Sequence, residues 1–470
     1  MLNIKNYENF CTHSDKLLGE NPTISRVSID FLHIIRPHYI HKKNFELFFS
    51  YSCILFYWHL LKKLIKSVLI FLISFFKNLF DDKLSKLKYS KVDVIYVSHL
   101  FNLSQLKSKN DLYFNDLKNK LESQLINSKR IFINHSKNSG IQNARDIVIG
   151  KTSVINEITI RILQLREFTS LLYAVSKSKS NYEKRITFFA SLESLSDSTF
   201  NNLRIYFFFK EILKIYSPKI VITTFEGHAY ERIIYKIINS SSKIITAGYQ
   251  HSAIFKHQHL IKRYFTNDYS PKLIFTSGKI TNKFFSEFNK QNKIIELGSS
   301  RGEIKIEQKK KIFNYLVVPE GIIEDVDVFL DFVSQITNRI SDKKFLFRFH
   351  PSISINQIKE RKLKYKDNPQ IIFSDNSLKN DIEESMFVLY SGSTAVFSSV
   401  IGGLTPIYFD NHEIDLNPIY HLKESIQYVK DTEDFINIKE DSEAIKNIHS
   451  AYCKEYFTDY NISKIINVIR

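Results

Sequence analysis

FRFHP at residues 347–351 and YSGSTA at residues 390–395 share one layout. In each stretch an apolar run typical of a β-strand ends in small or polar residues, and the second then continues into an apolar helical pattern. Ligands of open α/β sheets bind beyond the carboxyl ends of the strands, and a helix N-terminus suits an anion. The two turns therefore predict an α/β fold with a nucleotide-phosphate site. The residues expected to hold the phosphate are His350, Pro351, Ser391, Gly392, Ser393 and Thr394.

Strand patterns alternate with helix patterns along most of the chain, which favours parallel, doubly wound sheets. In the first half, strands are predicted at 91–99, 130–134, 186–189, 219–224, 243–247, 273–276 and 293–297, with helices at 112–128, 154–177 and 196–216. In the second half, strands are predicted at 315–318, 344–349, 370–373, 387–390 and 405–409, with helices at 325–340, 441–456 and 462–469.

These patterns divide the chain into three parts. Residues 1–88 read as a helical N-terminal region, residues 89–300 as one Rossmann-like domain, and residues 312–470 as a second domain with C-terminal helices. The charged stretch 301–311 is expected to link the two domains. Because each domain binds ligands at the edge of its sheet, we expect the two domains to face a cleft. This layout resembles that of nucleotide-sugar glycosyltransferases with two Rossmann-like domains, which implies an acceptor site on the first domain and a nucleotide-sugar site on the second.

Composition narrows the class of protein. The chain has 470 residues and a net charge of +17, which favours an anionic membrane surface or phosphorylated substrates. Zinc spacings, an RNP-type aromatic strand and a basic recognition helix are missing from the sequence, so nucleic acid is not an expected partner. Three scattered cysteines and a polar first twenty residues indicate a cytoplasmic protein without a secretory signal.

An apolar segment at 53–80 is interrupted by Lys62, Lys63, Lys66 and Lys77. Its longest uninterrupted apolar run is shorter than the ~20 residues that a membrane span requires. Two interpretations remain open: a basic helix lying on an anionic membrane, or a core helix with snorkelling lysines. The first would place the protein on the inner face of the plasma membrane.

TTFEGHA at residues 223–229 places Glu226 at the end of a strand, followed by Gly227, His228 and a helix. A carboxylate at this position can deprotonate an acceptor hydroxyl if it faces the cleft. The alternative is that Glu226 caps the helix N-terminus, where a negative charge is favoured.

Three further polar turns follow predicted strands. Gln250 and His251 open a cationic loop that can hold an anion, and the absence of carboxylate or cysteine neighbours in sequence argues against a metal. Glu320 precedes Gly321 at the first turn of the second domain and can meet donor or acceptor. Asp375 can accept from a ribose hydroxyl or cap a helix.

Taken together, the Glu226-Gly227 pair, the His350-Pro351 pair and the Ser391/Ser393/Thr394 series resemble motifs of bacterial sialyltransferases, polysialyltransferases and Kdo transferases. Residues 223–263 are also similar to bacterial capsule and O-antigen biosynthesis proteins. The resemblance covers about residues 91–425. It implies a GT-B fold of two Rossmann-like domains and a role in making surface polysaccharide. The chain departs from the pattern because Glu226 lacks an acidic neighbour before the glycine. Its serines are also not adjacent.

The resemblance also implies roles. Glu226 would be the general base, His350 would bind the donor phosphate and stabilise the leaving CMP, and the hydroxyl series would hold the same phosphate. The co-substrate would be a CMP-linked sugar, the acceptor a glycan or lipid-linked glycan, and neither a metal nor another cofactor would be needed. Alternatives are a CDP-glycerol or CDP-ribitol polyol-phosphate transferase, a UDP-sugar 2-epimerase-like enzyme, and a non-catalytic polysaccharide-assembly subunit.

Overall fold

The computed structural model describes most of the chain. The described residues are 3–19, 22–52, 54–56, 58, 61–66, 69, 91–108, 110–135, 146–150, 152–240, 243–263, 265–301, 307, 309–410 and 414–470. Within them the chain forms two parallel β-sheets with helices packed around each, as the sequence predicts.

The first sheet has seven strands in the order β3-β2-β1-β4-β5-β6-β7. They are β1 Val94–Leu100, β2 Ser128–Asn134, β3 Asp146–Val148, β4 Ile220–Thr224, β5 Ile245–Gln250, β6 Leu273–Thr276 and β7 Lys293–Glu296. Each residue of β1 and β4 is buried, as expected for strands covered on both faces. The strand order reverses between β1 and β4, which is the position where doubly wound sheets bind ligands.

The second sheet has six strands in the order β10-β9-β8-β11-β12-β13. They are β8 Phe313–Val318, β9 Phe345–Phe347, β10 Ile371–Phe373, β11 Ser385–Tyr390, β12 Thr405–Phe409 and β13 Gln427–Val429. The order again reverses at the centre, between β8 and β11. The predicted architecture of two Rossmann-like domains facing a cleft, known as GT-B, is confirmed.

The helices lie between and around these strands. In the first half they are α1 Ile4–Leu18, α2 Ile24–Val27, α3 Lys42–Phe49, α4 Ser104–Lys107, α5 Leu117–Glu122, α6 Val154–Lys177, α7 Asn181–Ser194, α8 Asp197–Tyr216, α9 Ala229–Asn239 and α10 Lys279–Phe288. In the second half they are α11 Ile323–Thr337, α12 Ile355–Lys364, α13 Leu378–Glu384, α14 Ala395–Ile401, α15 Thr432–Ile436, α16 Glu443–Tyr456 and α17 Ser463–Ile469.

The N-terminal region shares the core of the first domain. Phe10 on α1 contacts the rings of Phe31 and Phe45, and Phe31 in turn contacts Phe189 on α7, with ring centroids 4.7 Å apart. Asp15 on α1 pairs with His259 at 2.9 Å, so α1 is also joined to the loop after β5. Because burial of this aromatic surface stabilises both partners, the described part of residues 1–88 is structurally part of the first domain.

The last helix also belongs with the first sheet. Ile465, Ile466 and Ile469 of α17 are buried in one cluster with Val94 and Tyr96 of β1. The sequence interpretation placed this helix in the second domain because it follows that domain in the chain. Periodicity marks the apolar face of a helix but not the sheet that covers it.

Several predicted elements differ from the structure. Residues 186–189, predicted as a strand, lie within α7, whose N-cap is Ser180 in a capping box with Glu183. The predicted helix 112–128 is reduced to α5, because residues 111 and 115 pair in a short antiparallel bridge before it and β2 already begins at residue 128. The three-residue edge strands β3 and β13 were not predicted, since such short runs lack a periodic signal.

The basic apolar segment 53–80 lies mostly outside the described residues, as does the predicted linker from 302 to 306. Its described positions 54–56, 58, 61–66 and 69 are helical. Across the part of the chain that is described, no helix has the length and apolar character needed to cross a bilayer.

Candidate functional site

The turn after β4 presents the Glu226 carboxylate. Gly227 takes a φ of 93°, and a Cβ there would lie 2.6 Å from the Leu260 Cβ, so only glycine fits. Inside the turn, the carboxylate of Glu231 accepts from the backbone N–H groups of Glu226 at 3.0 Å, Gly227 at 2.7 Å and His228 at 3.0 Å. Glu231 therefore caps α9, which leaves Glu226 free for another role.

Glu226 forms a charged pair with His228 in the cleft. His228 Nε2 lies 3.3 Å from Glu226 Oε2, and Ser252 Oγ donates to Glu226 Oε1. The side chains are 27% and 34% exposed, so a ligand can reach both. Burial opposes the charged forms, but the mutual hydrogen bond and attraction raise the pKa of His228 to about 9 and hold the pKa of Glu226 below its usual range.

A hydrogen-bonded network that includes two histidines contacts this turn. His99, at the end of β1, places Nδ1 2.8 Å from His135 Nε2 and Nε2 3.0 Å from the Tyr230 hydroxyl. Tyr230 donates to Glu231 at 3.1 Å, so the network reaches the cap of α9. Burial lowers the pKa of His99, which keeps the ring neutral. These contacts join the ends of β1 and β2 to α9, and neither His135 nor Tyr230 was identified from sequence.

His251 and Gln250 flank the same turn but differ in role. His251 is buried, with its ring 4.5 Å from that of Tyr113, and burial lowers its pKa to about 4. Its Nδ1 is buried and has no hydrogen-bond partner among the described residues. The Gln250 amide is occupied instead: its Oε1 accepts from the Ser277 hydroxyl at 3.1 Å, and its Nε2 donates to the Ser252 carbonyl.

Glu320 lies at the reversal point of the second sheet. Its carboxylate lies 2.8 Å from His38 Nε2 and 3.3 Å from Arg36 Nη2, which joins the second domain to the N-terminal region. The carboxylate packs directly on Gly392, where a Cβ would come within 1.3 Å of Glu320 Oε1. The turns after β8 and β11 thus fit together only because position 392 has no side chain.

His350 follows β9. Its Nδ1 lies 2.8 Å from Ser352 Oγ and 3.2 Å from the Ser352 backbone nitrogen, while Ser352 Oγ donates to the Gly321 carbonyl at 2.9 Å. Nδ1 is therefore engaged within its own turn, and Nε2 is the ring nitrogen that can meet a ligand. Partial desolvation lowers the pKa of His350; the charge of Glu320 opposes this shift and the charge of Arg301 adds to it. The adjacent Pro351 is exposed.

The remaining donor-side residues separate into two groups. Ser391 and Ser393 are buried and Thr394 is half-buried, in the turn that leads from β11 into α14. Asp375 follows β10, three strands away from β11, and its carboxylate binds Lys362 at 2.8 Å on the surface. The structure therefore brings the serine turn towards Glu320 and leaves Asp375 outside this group.

Arg301 is a cleft residue that the sequence interpretation assigned to a linker. Its Nη1 is buried and has no hydrogen-bond partner among the described residues. Burial lowers the pKa of Arg301, while its charge acts on Glu226 of the first domain and on His350 of the second. A guanidinium whose Nη1 is unpaired and whose charge reaches both turns is suited to a phosphate. Sequence analysis missed Arg301 because it lies in the charged stretch 301–311. The sequence alone does not distinguish one buried arginine from charged neighbours that face solvent.

Metal binding has no support in the described part of the chain, where His, Cys, Asp and Glu side chains form no group of three suited to an ion. Cations near the cleft are instead supplied by Arg301, Arg36 and His228.

No family model and no curated protein matches the chain. Solved structures with a similar arrangement include the UDP-GlcNAc 2-epimerase of Methanocaldococcus jannaschii in complex with UDP-GlcNAc and UDP. It is 13% identical to this chain, with a TM-score of 0.45, and the match covers 80% of this chain and 99% of that one.

The UDP-GlcNAc 2-epimerase of Neisseria meningitidis bound to UDP-GlcNAc is 11% identical, with a TM-score of 0.44 and coverage of 80% and 98%. The glycotransferase of kitacinnamycin is 8% identical, with a TM-score of 0.43 and coverage of 78% and 95%. Similarities this distant do not assign a reaction, so the function has to be argued from the side chains.

Proposed function

We propose that this protein is a nucleotide-sugar-dependent glycosyltransferase of bacterial surface-polysaccharide synthesis. The observation that carries the proposal is the release of Glu226 from helix capping. Glu231 caps α9, so Glu226 is left in the cleft with His228 and Ser252, and the charge of Arg301 acts on Glu226 and on His350 across the cleft. Transfer of a sugar from a phosphate to a hydroxyl requires a base near the hydroxyl and positive charge near the phosphate. An ionised carboxylate opposite a positively charged phosphate site meets both needs.

Glu226 acts as the base in this proposal. The acceptor hydroxyl takes the place of the Ser252 hydroxyl and donates its hydrogen bond to Glu226. A carboxylate of low pKa removes the proton only late, as the bond between the sugar and the phosphate breaks and the attacking hydroxyl becomes acidic. His228 holds the carboxylate in place and offsets its charge.

The leaving phosphate is held by donors of the second domain and by Arg301. His350 offers its Nε2, because Nδ1 is engaged with Ser352, and Ser391, Ser393 and Thr394 line the neighbouring turn. Together they neutralise the charge that develops on the departing nucleotide. We propose CMP as that nucleotide because of the resemblance of these motifs to CMP-sugar transferases. The leaving group then carries a single phosphate, and no metal is needed in this scheme.

We further propose that the protein works at the inner face of the plasma membrane on a lipid-linked glycan. The described helical positions after residue 53 expose Ile54, Leu55, Trp58, Leu61 and Ile65, each between 48% and 83% exposed. Lys62 and Lys66 are exposed beside them. Apolar side chains flanked by lysines suit the interface of an anionic bilayer.

The test is turnover of defined donors. Purified protein is incubated with CMP-sialic acid, CMP-Kdo, CDP-glycerol and UDP-GlcNAc, and the released nucleotide and the altered sugar are measured. Release of CMP from one CMP-sugar, lost in Glu226→Gln, supports the proposal. Release of CMP from CDP-glycerol indicates a polyol-phosphate transferase, and conversion of UDP-GlcNAc to its 2-epimer indicates an epimerase. No turnover of any donor, with or without added glycan acceptors, favours a non-catalytic assembly subunit.

A further inference from the structure

A cavity of about 490 Å³ adjoins the Glu226 turn from the side of the N-terminal region. Its walls come from residues 30–44, from α7, from His228, and from Glu320 and Ile322 of the second domain. It thus connects the partner of the proposed base with the reversal point of the second sheet. Its volume lies within the range of ~300–1,000 Å³ that is typical of small-ligand sites.

Two buried polar atoms of lining residues have no partner among the described residues. They are Arg36 Nη1 and His33 Nδ1. His33 Nε2 lies 2.9 Å from the Val27 carbonyl, which only accepts, so Nε2 carries the hydrogen and Nδ1 is an acceptor. The lining residues therefore include one donor and one acceptor that no described residue engages. Leaving such atoms unpaired is costly, and a ligand hydroxyl can satisfy either of them because it both donates and accepts.

Most charged groups of the cavity are already paired, and the Asp30 carboxylate accepts from the Asn202 amide at 2.7 Å. Glu320 is paired with Arg36 and His38, and Glu193 is paired with Lys63. The cavity therefore offers hydrogen-bonding groups without a strong excess of either charge. Apolar side chains form the remaining walls, among them Ile34, Ile35, Ile40, Phe31, Phe189 and Ile322. A ligand with many hydroxyl groups, an apolar ring face and no net charge fits these walls better than an anion does.

We propose that this cavity is the acceptor site, and that it binds a neutral pyranose unit of a glycan with one hydroxyl directed to Glu226 and His228. The proposal rests on the proposed function, because it assigns to the cavity the partner that the transfer reaction requires. The N-terminal region then contributes substrate recognition through Arg36 and His33, in addition to its place in the core.

The test uses saturation-transfer difference NMR with three neutral probes: methyl β-glucoside, methyl β-galactoside and methyl β-N-acetylglucosaminide. Wild-type protein is compared with Asn44→Phe and Ile322→Trp, which fill the cavity from opposite walls, and with Ile355→Phe, a matched change at a side chain that is 71% exposed on α12. We expect at least one probe to bind the wild type and the Ile355→Phe control. Its signal should fall at least fivefold in both cavity variants.

Two results would overturn the proposal: no probe binds the wild type, or the signals persist in both folded cavity variants. Crystals of the wild type soaked with the binding glycoside give a readout that needs no variant, since density beside Arg36 and His33 supports the assignment and density elsewhere contradicts it. Nucleotide titrations of the same samples separate the two proposals. If a glycoside binds and no nucleotide binds, the proposed transferase is defeated but a glycan site remains. If a nucleotide binds and no glycoside binds, only the acceptor site is defeated.

Discussion

The Glu320 carboxylate lies against Gly392, and a Cβ at position 392 would lie 1.3 Å from Glu320 Oε1. The two residues follow β8 and β11, the strands between which the order of the second sheet reverses. The same carboxylate pairs with Arg36 and His38 of the N-terminal region. One missing side chain thus permits a contact that joins the second domain to residues 36–38.

Gly392→Ala should therefore destabilise the protein, because Glu320 has to leave its position and its buried pairs with Arg36 and His38 are broken. Overpacking of this kind costs about 1–3 kcal/mol. Thermal unfolding measures the loss. Gly150→Ala is the matched control, since a Cβ at that position lies 3.9 Å from the nearest carbonyl, and its melting temperature should stay close to that of the wild type. Equal effects of the two substitutions would contradict the packing argument.

Glu226 and Glu231 lie five positions apart and should respond differently to the same substitution. Glu226→Gln should lower turnover by about 10²- to 10⁴-fold in protein that still folds, as expected for loss of a general base. Glu231→Gln places an amide nitrogen among backbone N–H groups of the turn and should cost about 1–3 kcal/mol of stability. Donor turnover and thermal unfolding of both variants test these two expectations. Donor turnover that survives in folded Glu226→Gln would mean that Glu226 is not the base.

The pair of Glu226 and His228 predicts a loss of stability at alkaline pH. The pKa of His228 rises from an ordinary value near 6.5 to about 9 in the folded protein, so the folded state binds more protons between these values. Its contribution to stability is complete below pH 6.5 and lost as the pH rises through about 9. Chemical unfolding of the wild type and His228→Gln from pH 6 to 10 measures it. The difference between the two proteins should shrink across this range, and a constant difference would contradict the assignment.

Arg301 should contribute directly to nucleotide binding. Loss of a hydrogen bond to a charged group costs about 1.5–3 kcal/mol, so Arg301→Gln should weaken the affinity for the nucleotide about 10- to 100-fold. Arg339→Gln is the control, because Arg339 is 49% exposed in a surface pair with Glu433. Calorimetry measures both variants. Affinities that agree with the wild type in Arg301→Gln would place the phosphate elsewhere.

Trp58 is the only tryptophan of the chain and reports on membrane contact. It is 57% exposed, and Lys62 Nζ lies 5.0 Å from its ring. Vesicles rich in phosphatidylglycerol should shift its emission to shorter wavelength, whereas phosphatidylcholine vesicles should not, and added salt should weaken the effect. Leu61→Asp should reduce binding because it places a charge on the apolar face. An emission spectrum that no vesicle alters would exclude this face as the docking surface.

The sequence was sufficient for the architecture, because buried parallel strands are near-continuous apolar runs. The strands at Leu273–Thr276 and Thr405–Phe409 were predicted with their observed bounds. The prediction of a strand at 186–189 was wrong for the same reason, because a buried helix is also apolar on several sides. The capping box at Ser180 was the sequence signal that identifies this segment as a helix. Packing between distant segments, such as α17 on β1, has no local signal.

The candidate site was predictable where it follows strands and unpredictable where it depends on contacts. Glu226 and His350 come at strand ends, which is where sheets of this type bind ligands. Whether Glu226 or Glu231 caps α9 depends on which carboxylate turns inward, and both lie near the helix start. Arg301, Arg36 and His33 reach the cleft from segments without strand character, so no strand-end rule could identify them.

The central claim is that a nucleotide binds between the two sheets with its phosphate on His350. Isothermal titration calorimetry of wild-type protein and His350→Ala with CMP, CDP, UDP and GDP tests it most directly. We predict that CMP binds the wild type most tightly and that the variant loses this binding while keeping its melting temperature. A preference for UDP or CDP would replace the proposed donor. Absence of binding by every nucleotide, or binding that His350→Ala leaves unchanged, would contradict the account.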